Sequence, residues 1–413
     1  MAMNVKMTMT MTNASGGITA APGFMASGVH CGIRKNKTKR DLALVVADTD
    51  CAAAAVYTTN RVQAAPLLVT RQHLANGRAR AILVNSGCAN ACAPGGVENA
   101  RKACAAAAAA TGLAPGDFIV NSTGVIGAPL PVDTIVDAMP ALAAALSRDG
   151  GPAVEAIMTT DTVKKEAAVR FTLGGQEVTV GGMAKGSGMI HPNMATMLAF
   201  LTTDCAISPG LLQEALADAA RHSFNRISVD GDTSTNDMCA ILASGTAKNE
   251  LITEKNGDYE QFREALSQVC LHLAKEMARD GEGASRLLIC RVKNAQDEQA
   301  AETLAKAVIS SSLFKAAMFG ADANWGRVLC AMGYSGVDFD PGVVDIAFAS
   351  EGGRLPVCAR GQGLPFDEEL ARKVLSRKEI VVEADLHGGN AVAEAYGCDL
   401  TYDYVKINGD YRT

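Results

Sequence analysis

Between Gly181 and Phe200 the chain passes from a glycine-rich approach, Gly181 to Gly188, into an abruptly apolar exit, Met197 to Phe200. Such a junction can hold backbone on a tight path beside reacting groups. Its side chains that can do chemistry include Lys185, His191 and Thr196. A phosphate loop needs Gly-Lys-Ser/Thr after a four-residue spacer, whereas the order here is Lys185-Gly186-Ser187, which argues against nucleotide binding. His191 stands five residues before Thr196 and invites a hydroxyl/imidazole pair. No carboxylate at a fixed offset marks a partner to orient it, so it reads as structural. Asp230 and Asp232 repeat only part of a calcium loop and read as a loop buttressing the site. Cys88 and Cys92 lack a second His/Cys pair at zinc spacing, so no metal is expected. On residue types alone, the segment also reads as a glycine-rich turn before a buried strand, with Thr196 an ordinary β-former.

The elements that must position these groups alternate between strand and helix. Leu42 to Ala47, Cys51 to Tyr57 and Ala81 to Val84 are strand-like. Val97 to Thr111 is alanine-rich and stops at Gly112, as a helix with a glycine cap does. From Glu166 to Gly181, two alternating runs flank Gly174-Gly175 and predict a hairpin that delivers the chain to the glycine-rich segment. Phe262, Leu266, Val269, Leu273 and Met277 keep helical spacing up to Gly281, with a capping box at Asp258 and Gln261. Leu287 to Val292 predicts a strand, a helix starts near Asp297, and Leu370 and Val374 mark another. Ile380 to Ala384, Ala391 to Ala395 and Leu400 to Ile407 are strand-like. The pattern gives a mixed α/β fold without a fixed repeat.

Six segments, in order, carry a family resemblance. They are Asn121-Ser122-Thr123-Gly124-Val125-Ile126-Gly127, Met158 to Thr162, Asn193-Met194-Ala195-Thr196-Met197-Leu198, Gly281 to Ser285, Ala321 to Arg327, and Ile407 to Thr413. The chain from about Gly16 to Thr413 resembles the ornithine acetyltransferases, also called glutamate N-acetyltransferases. The resemblance implies a layered α/β architecture, two face-to-face sheets flanked by helices, similar to the self-cleaving aminopeptidases. It implies cleavage at Ala195-Thr196, giving an α chain ending at Ala195 and a β chain of residues 196–413 that form one catalytic unit, paired again into a heterotetramer. Residues 1–15, rich in Met and Thr, read as a disordered extension.

The implied activity moves acetyl from N-acetylornithine to glutamate through an ester on Thr196. A threonine hydroxyl needs a base, and the α-amine freed by the cut titrates near pH 8, by order of magnitude, so a useful fraction is neutral. By the resemblance, Thr123 and the Gly124 N–H stabilise the oxyanion, while Thr162, Lys185, Thr196, Glu282, Asn408 and Thr413 contact substrate. Lys185 suits a carboxylate and Glu282 an amine. No cofactor is implied, and acetyl-CoA is left open as a co-substrate. The alternatives are a self-cleaving aminopeptidase, in which water takes the acyl group, and an idle binding protein.

Composition agrees with a soluble protein. Of 413 residues, 48% are hydrophobic and 20% charged, and the net charge of −6 argues against nucleic-acid partners. The one basic cluster, Arg34 to Arg40, reads as a solvated loop, and the twelve cysteines as mostly buried free thiols. With no leader-like start and no window of roughly 18 apolar residues, no membrane association and a cytoplasmic location are expected.

Overall fold

The structure, a computed structural model, describes residues 11–191 and 197–410. A nine-stranded sheet takes β1 (Thr12–Asn13), β2 (Phe24–Val29), β3 (Leu42–Tyr57), β4 (Arg78–Cys88), β5 (Phe118–Val125), β6 (Lys165–Leu173), β7 (Gln176–Lys185), β8 (Leu198–Thr203) and, after the short β9 (Ile227–Ser228) of the other sheet, β10 (Met238–Ala243). Their order is β1-β6-β7-β8-β10-β3-β4-β5, with β2 beside β3. The second sheet adds β11 (Leu287–Ala295), β12 (Asp345–Ser350), β13 (Gly353–Ala359), β14 (Gln362–Gly363), β15 (Glu379–Asp385) and β16 (Ala391–Cys398), in the order β14-β13-β12-β15-β11-β16-β9.

The predicted hairpin is β6 and β7. Gly174 and Gly175 both take positive φ, 52° and 83°, which a tight two-residue turn requires, and Val169 faces Val180 while Phe171 faces Val178. Thr12–Asn13 pair with β6, so the expectation of disorder up to residue 15 does not hold for them; without them β6 would present an open edge. The two predicted runs at 42–57 are a single strand, β3, whose pairing with β4 shifts between Val46 and Cys51, where Asp48 to Asp50 reach solvent.

Helices α1 (Ala65–His73), α2 (Gly96–Thr111), α3 (Val132–Ala144) and α4 (Gly151–Ile157) serve the first sheet. Alternation along β10 shows how its faces divide: Met238, Ala240 and Leu242 pack with α4, whereas Cys239, Ile241 and Ala243 pack with α5 (Pro209–Arg221) and α6 (Gly257–Arg279). The same core takes Leu287 and Ile289 of β11, so α6 lies against both sheets. Phe262, Leu266 and Leu273 of α6 are fully buried, each worth about 1.5–3 kcal/mol relative to exposure. The cap of α6 is not the predicted Asp258 box. Asn256 stands in extended conformation and its side chain accepts from Tyr259 N at 3.0 Å, which places Asp258 inside the first turn. On the far side of the second sheet, Leu288, Cys290 and Val292 pack with α7 (Glu298–Ser310), α8 (Ser312–Phe319), α9 (Trp325–Gly333) and α10 (Glu368–Leu375).

The predicted last strand, Leu400 to Ile407, is instead the helix α11 (Tyr402–Asp410). Its half-buried positions, Tyr404 and Ile407, are three apart, the spacing of one helical face, while Tyr402 and Val405 face solvent. All twelve cysteines are free, and nine are buried. No helix among the described residues is long and apolar enough to cross a membrane.

Candidate active site

Strand ends and loops converge on a cavity of about 150 Å³ lined by Thr123, Gly124, Lys185, Glu282 and Asn408, five of the residues singled out in the sequence. Thr123 and Gly124 lie just before β5 ends at Val125, beside Ser86 and Gly87 of β4. Gly124 has φ 130°, and a Cβ there would lie 2.4 Å from the Gly87 carbonyl carbon, so both conformation and space demand glycine. Polar side chains brace this end: Asn236 Nδ2 donates to Ala89 O at 2.6 Å and Ser122 O at 2.7 Å, and Ser122 Oγ donates to Asn85 Oδ1 at 2.6 Å.

Lys185 ends β7 and is buried, with its ammonium 3.5 Å from Thr123 Oγ1. Burial pulls its pKa down, and Lys165 pulls the same way, while Asp161, Asp237 and Glu282 oppose them. Glu282 follows α6: its N–H donates to Ser187 O at 3.0 Å and its Oε2 accepts from Asn408 Nδ2 at 2.8 Å. The cavity therefore presents a cation and a carboxylate from different elements, with a threonine hydroxyl beside the cation.

The glycine-rich segment is held from outside. Asp230 accepts from Met189 N at 2.6 Å and Ile190 N at 2.9 Å, which is the buttressing expected of its loop. Met189, lining the cavity, takes φ 56°, a conformation that costs a side-chain-bearing residue of order 1 kcal/mol and needs such support. His191 does not line the cavity. It sits in a separate depression with Lys306, its Nδ1 3.0 Å from Ser228 Oγ, and burial together with Lys306 pulls its pKa to about 4, so the ring is neutral at neutral pH.

Thr162 is likewise absent from the cavity. Its N–H donates to Asp280 Oδ2 at 3.0 Å and its hydroxyl to Asp280 Oδ1, and it lines an adjoining cavity; Thr159 and Thr160 of the same loop face the main one. Arg34 anchors the start of this loop by donating to Met158 O, and Arg40 pairs with Glu155, so two members of the basic cluster serve the fold. Ala195, Thr196 and Thr413 lie outside the described residues. Met197 lines the cavity, and its carbonyl accepts from Met238 N at 3.0 Å.

Sequence reasoning missed Asp161, Lys165, Asp280, Asn236 and Asp237. Asp237 is a wholly buried carboxyl on the cavity wall whose Oδ2 has no hydrogen-bond partner among the described residues; burial holds its pKa well above the carboxylate range. One signal was present, the unbroken polar run Thr233 to Asp237 immediately before the apolar β10.

With this geometry in place, comparison with known proteins decides the family: the ArgJ family model matches residues 25–413. The chain belongs to the ArgJ family. It is similar to the arginine biosynthesis bifunctional protein ArgJ of Symbiobacterium thermophilum, 54% identical over 402 residues that cover 97% of this chain and 99% of that protein. It is 47% identical to ArgJ 1 of Clostridium acetobutylicum over 398 residues, covering 96% and 97%. The solved ornithine acetyltransferase from Mycobacterium tuberculosis, complexed with ornithine, is 41% identical over 45% of this chain and 100% of that one, with a TM-score of 0.42. As an ArgJ-family member the chain is an acetyltransferase of arginine biosynthesis. The two sheets and their helices agree with the architecture the sequence resemblance implies.

Proposed function

We propose that this protein cuts its own chain at Ala195-Thr196 and then carries acetyl from N-acetylornithine to glutamate on the Thr196 hydroxyl. The observation that carries the reading is the cavity, which sets Lys185 and Glu282, opposite charges suited to an amino acid, beside Thr123-Gly124 and is lined by Met197, the residue after the nucleophile.

In the cut, the Thr196 hydroxyl attacks the Ala195 carbonyl, the peptide C–N bond breaks in an N-to-O shift, and water hydrolyses the resulting ester. The freed α-amine then takes the hydroxyl proton as Thr196 attacks the acetyl carbonyl of N-acetylornithine. The amide C–N bond breaks, the proton passes to the leaving amine, and ornithine departs. Glutamate's amine attacks the acetyl ester in the reverse sense and restores the hydroxyl. Each tetrahedral state bears an oxyanion, for which the Thr123 hydroxyl and the Gly124 N–H are the donors; loss of one such donor typically costs about a hundredfold or more. Lys185 pairs with the substrate carboxylate, and Glu282, held by Asn408, with an amine. No cofactor enters these steps. The cut chains pair into a heterotetramer that works in the cytoplasm, and acetyl-CoA as a second donor is tested by glutamate acetylation with it as the only donor.

Purified protein should run as two fragments, the second beginning at Thr196, and should be acetylated once on that residue by N-acetylornithine alone. Mass spectrometry after brief mixing measures this. An intact active chain, or hydrolysis of N-acetylornithine without transfer to glutamate, overturns the proposal.

A further inference from the structure

The main cavity shares a wall with a second one. In the loop between α4 and β6, Thr159 and Thr160 face the main cavity while Thr162 and Val163 face its neighbour. After α6, Glu282 faces the main cavity, and Asp280 and Gly283 the other. Each of these two loops thus presents residues to both cavities.

Between the two loops stands Lys165, the first residue of β6, whose side chain has no exposure and bonds to Asp161 of one loop and Asp280 of the other. Its ammonium donates to Asp161 Oδ1 at 2.7 Å and to Asp280 Oδ2 at 2.6 Å. Asp161 also accepts from Thr159 N at 2.9 Å and from Gly186 N, next to Lys185, at 2.7 Å. Burial alone would raise the Asp161 pKa, but Lys185 and Lys165 outweigh it and hold the carboxyl well below its ordinary value, so it stays ionised. Asp280 accepts from Thr162 N at 3.0 Å and from Val163 N at 3.4 Å, two residues ahead of Glu282 in sequence. One ammonium therefore joins the carboxylate that holds Gly186, the residue after Lys185, to a carboxylate that itself stands two residues before Glu282 and holds the Thr162–Val163 backbone.

We propose that Lys165 is a positioning residue that fixes the separation of Lys185 and Glu282 and so sets the length of amino acid the main cavity accepts. The inference rests on the reading that Lys185 takes the ligand's carboxylate and Glu282 an amine. Removing the ammonium leaves two buried carboxylates facing one another; they move apart or draw in water, and the wall moves with them. A triad that only stabilised the fold would instead change affinity for short and long ligands alike.

The test is calorimetric binding of ornithine and of lysine, one methylene longer, to the full-length protein. The wild type should prefer ornithine by about 10- to 200-fold, the usual worth of one methylene in a fitted pocket. In Lys165→Met that preference should fall by roughly tenfold, and in Asp280→Asn, which keeps the shape and loses only the charge, by a smaller factor in the same direction. A folded Lys165→Met protein that keeps the wild-type preference, or that weakens both ligands equally, overturns the inference. If Lys165→Met does not fold, Asp280→Asn decides alone: an unchanged preference overturns it and a reduced one supports it. Wild-type protein that binds neither amino acid overturns the proposed function, and this inference with it; wild-type preference that survives both substitutions overturns this inference only.

Discussion

At Gly188 an added methyl carbon would lie 2.3 Å from Glu282 Cδ, closer than any real contact, and the neighbouring backbone is not free to yield because Met189 and Ile190 are held by Asp230. Gly188→Ala must therefore push the Glu282 carboxylate aside. A displacement on the order of 1 Å in a positioning group can cost about a hundredfold, so kcat/KM for N-acetylornithine should fall by roughly 10- to 100-fold while circular dichroism stays unchanged. Gly210→Ala, where nothing lies within 4 Å of the new carbon, should leave the kinetics alone; equal effects of the two would refute the steric argument. Residues such as Thr123, Gly124, Lys185 and Glu282 were legible in the sequence because each stands in a contiguous motif. Lys165 and Asp280 were not, since their link spans 115 residues and neither charge is unusual in its own segment. Thr162, which the resemblance offered as a substrate contact, instead turns its hydroxyl to Asp280 and lines the adjoining cavity.

Helix α11 has no fully buried residue, so its docking depends on a few contacts. Gly283 takes φ 69°, and a Cβ there would lie 2.6 Å from Tyr404 N; Thr401 Oγ1 donates to Gly283 O at 2.6 Å; Asn408 Nδ2 donates both to Glu282 and, at 3.1 Å, to Tyr404 O. Gly283→Ala should lift α11 from this loop. The expected outcome is faster proteolysis confined to the last dozen or so residues and a severalfold loss of kcat/KM, with a melting temperature lowered by only a few degrees because no core is opened. Loss of the global transition would show that α11 belongs to the core after all. The misreading of this stretch as a strand has a physical origin. Tyr402, Tyr404, Val405 and Ile407 are β-formers, but two of them face solvent, and the helix is selected by contacts with the distant 281–285 loop that local pattern cannot register. The β6–β7 hairpin and α6 were legible because their own turn chemistry and periodicity settle them.

Across the whole molecule, the chain order of the strands does not follow their order in the sheet. A cut at Ala195-Thr196 leaves β1 to β7 in the first piece and β8 to β16 in the second, yet β8 and β10 sit between β7 and β3. Mixed α/β character was readable from alternating patterns, whereas this interleaving was not, because pairing between β10 and β3 joins segments about two hundred residues apart whose apolar runs would fit many neighbours. Lys185 to Val180 pair antiparallel with Leu198 to Thr203, and Met238 to Ala243 pair with Tyr57 to Ala52, so both ladders cross the cut. The core around α5 and α6 also draws on both pieces, with Val178 and Val180 before the cut packed among Leu201, Leu266 and Leu273 after it. Neither piece can leave without exposing that core and breaking two ladders at once. The cleaved protein should therefore behave as one cooperative unit. In urea, hydrogen-exchange protection of β7 in the first fragment and of β10 in the second should vanish at the same midpoint, and gel filtration without denaturant should return both fragments in one peak. Thr196→Ala, which removes the hydroxyl the cut requires, should give a single uncut chain with the same two strands losing protection together. Midpoints that differ between the fragments in the cut protein but coincide in the uncut one would mean that the pieces fold as separate units, contrary to the interleaved sheet.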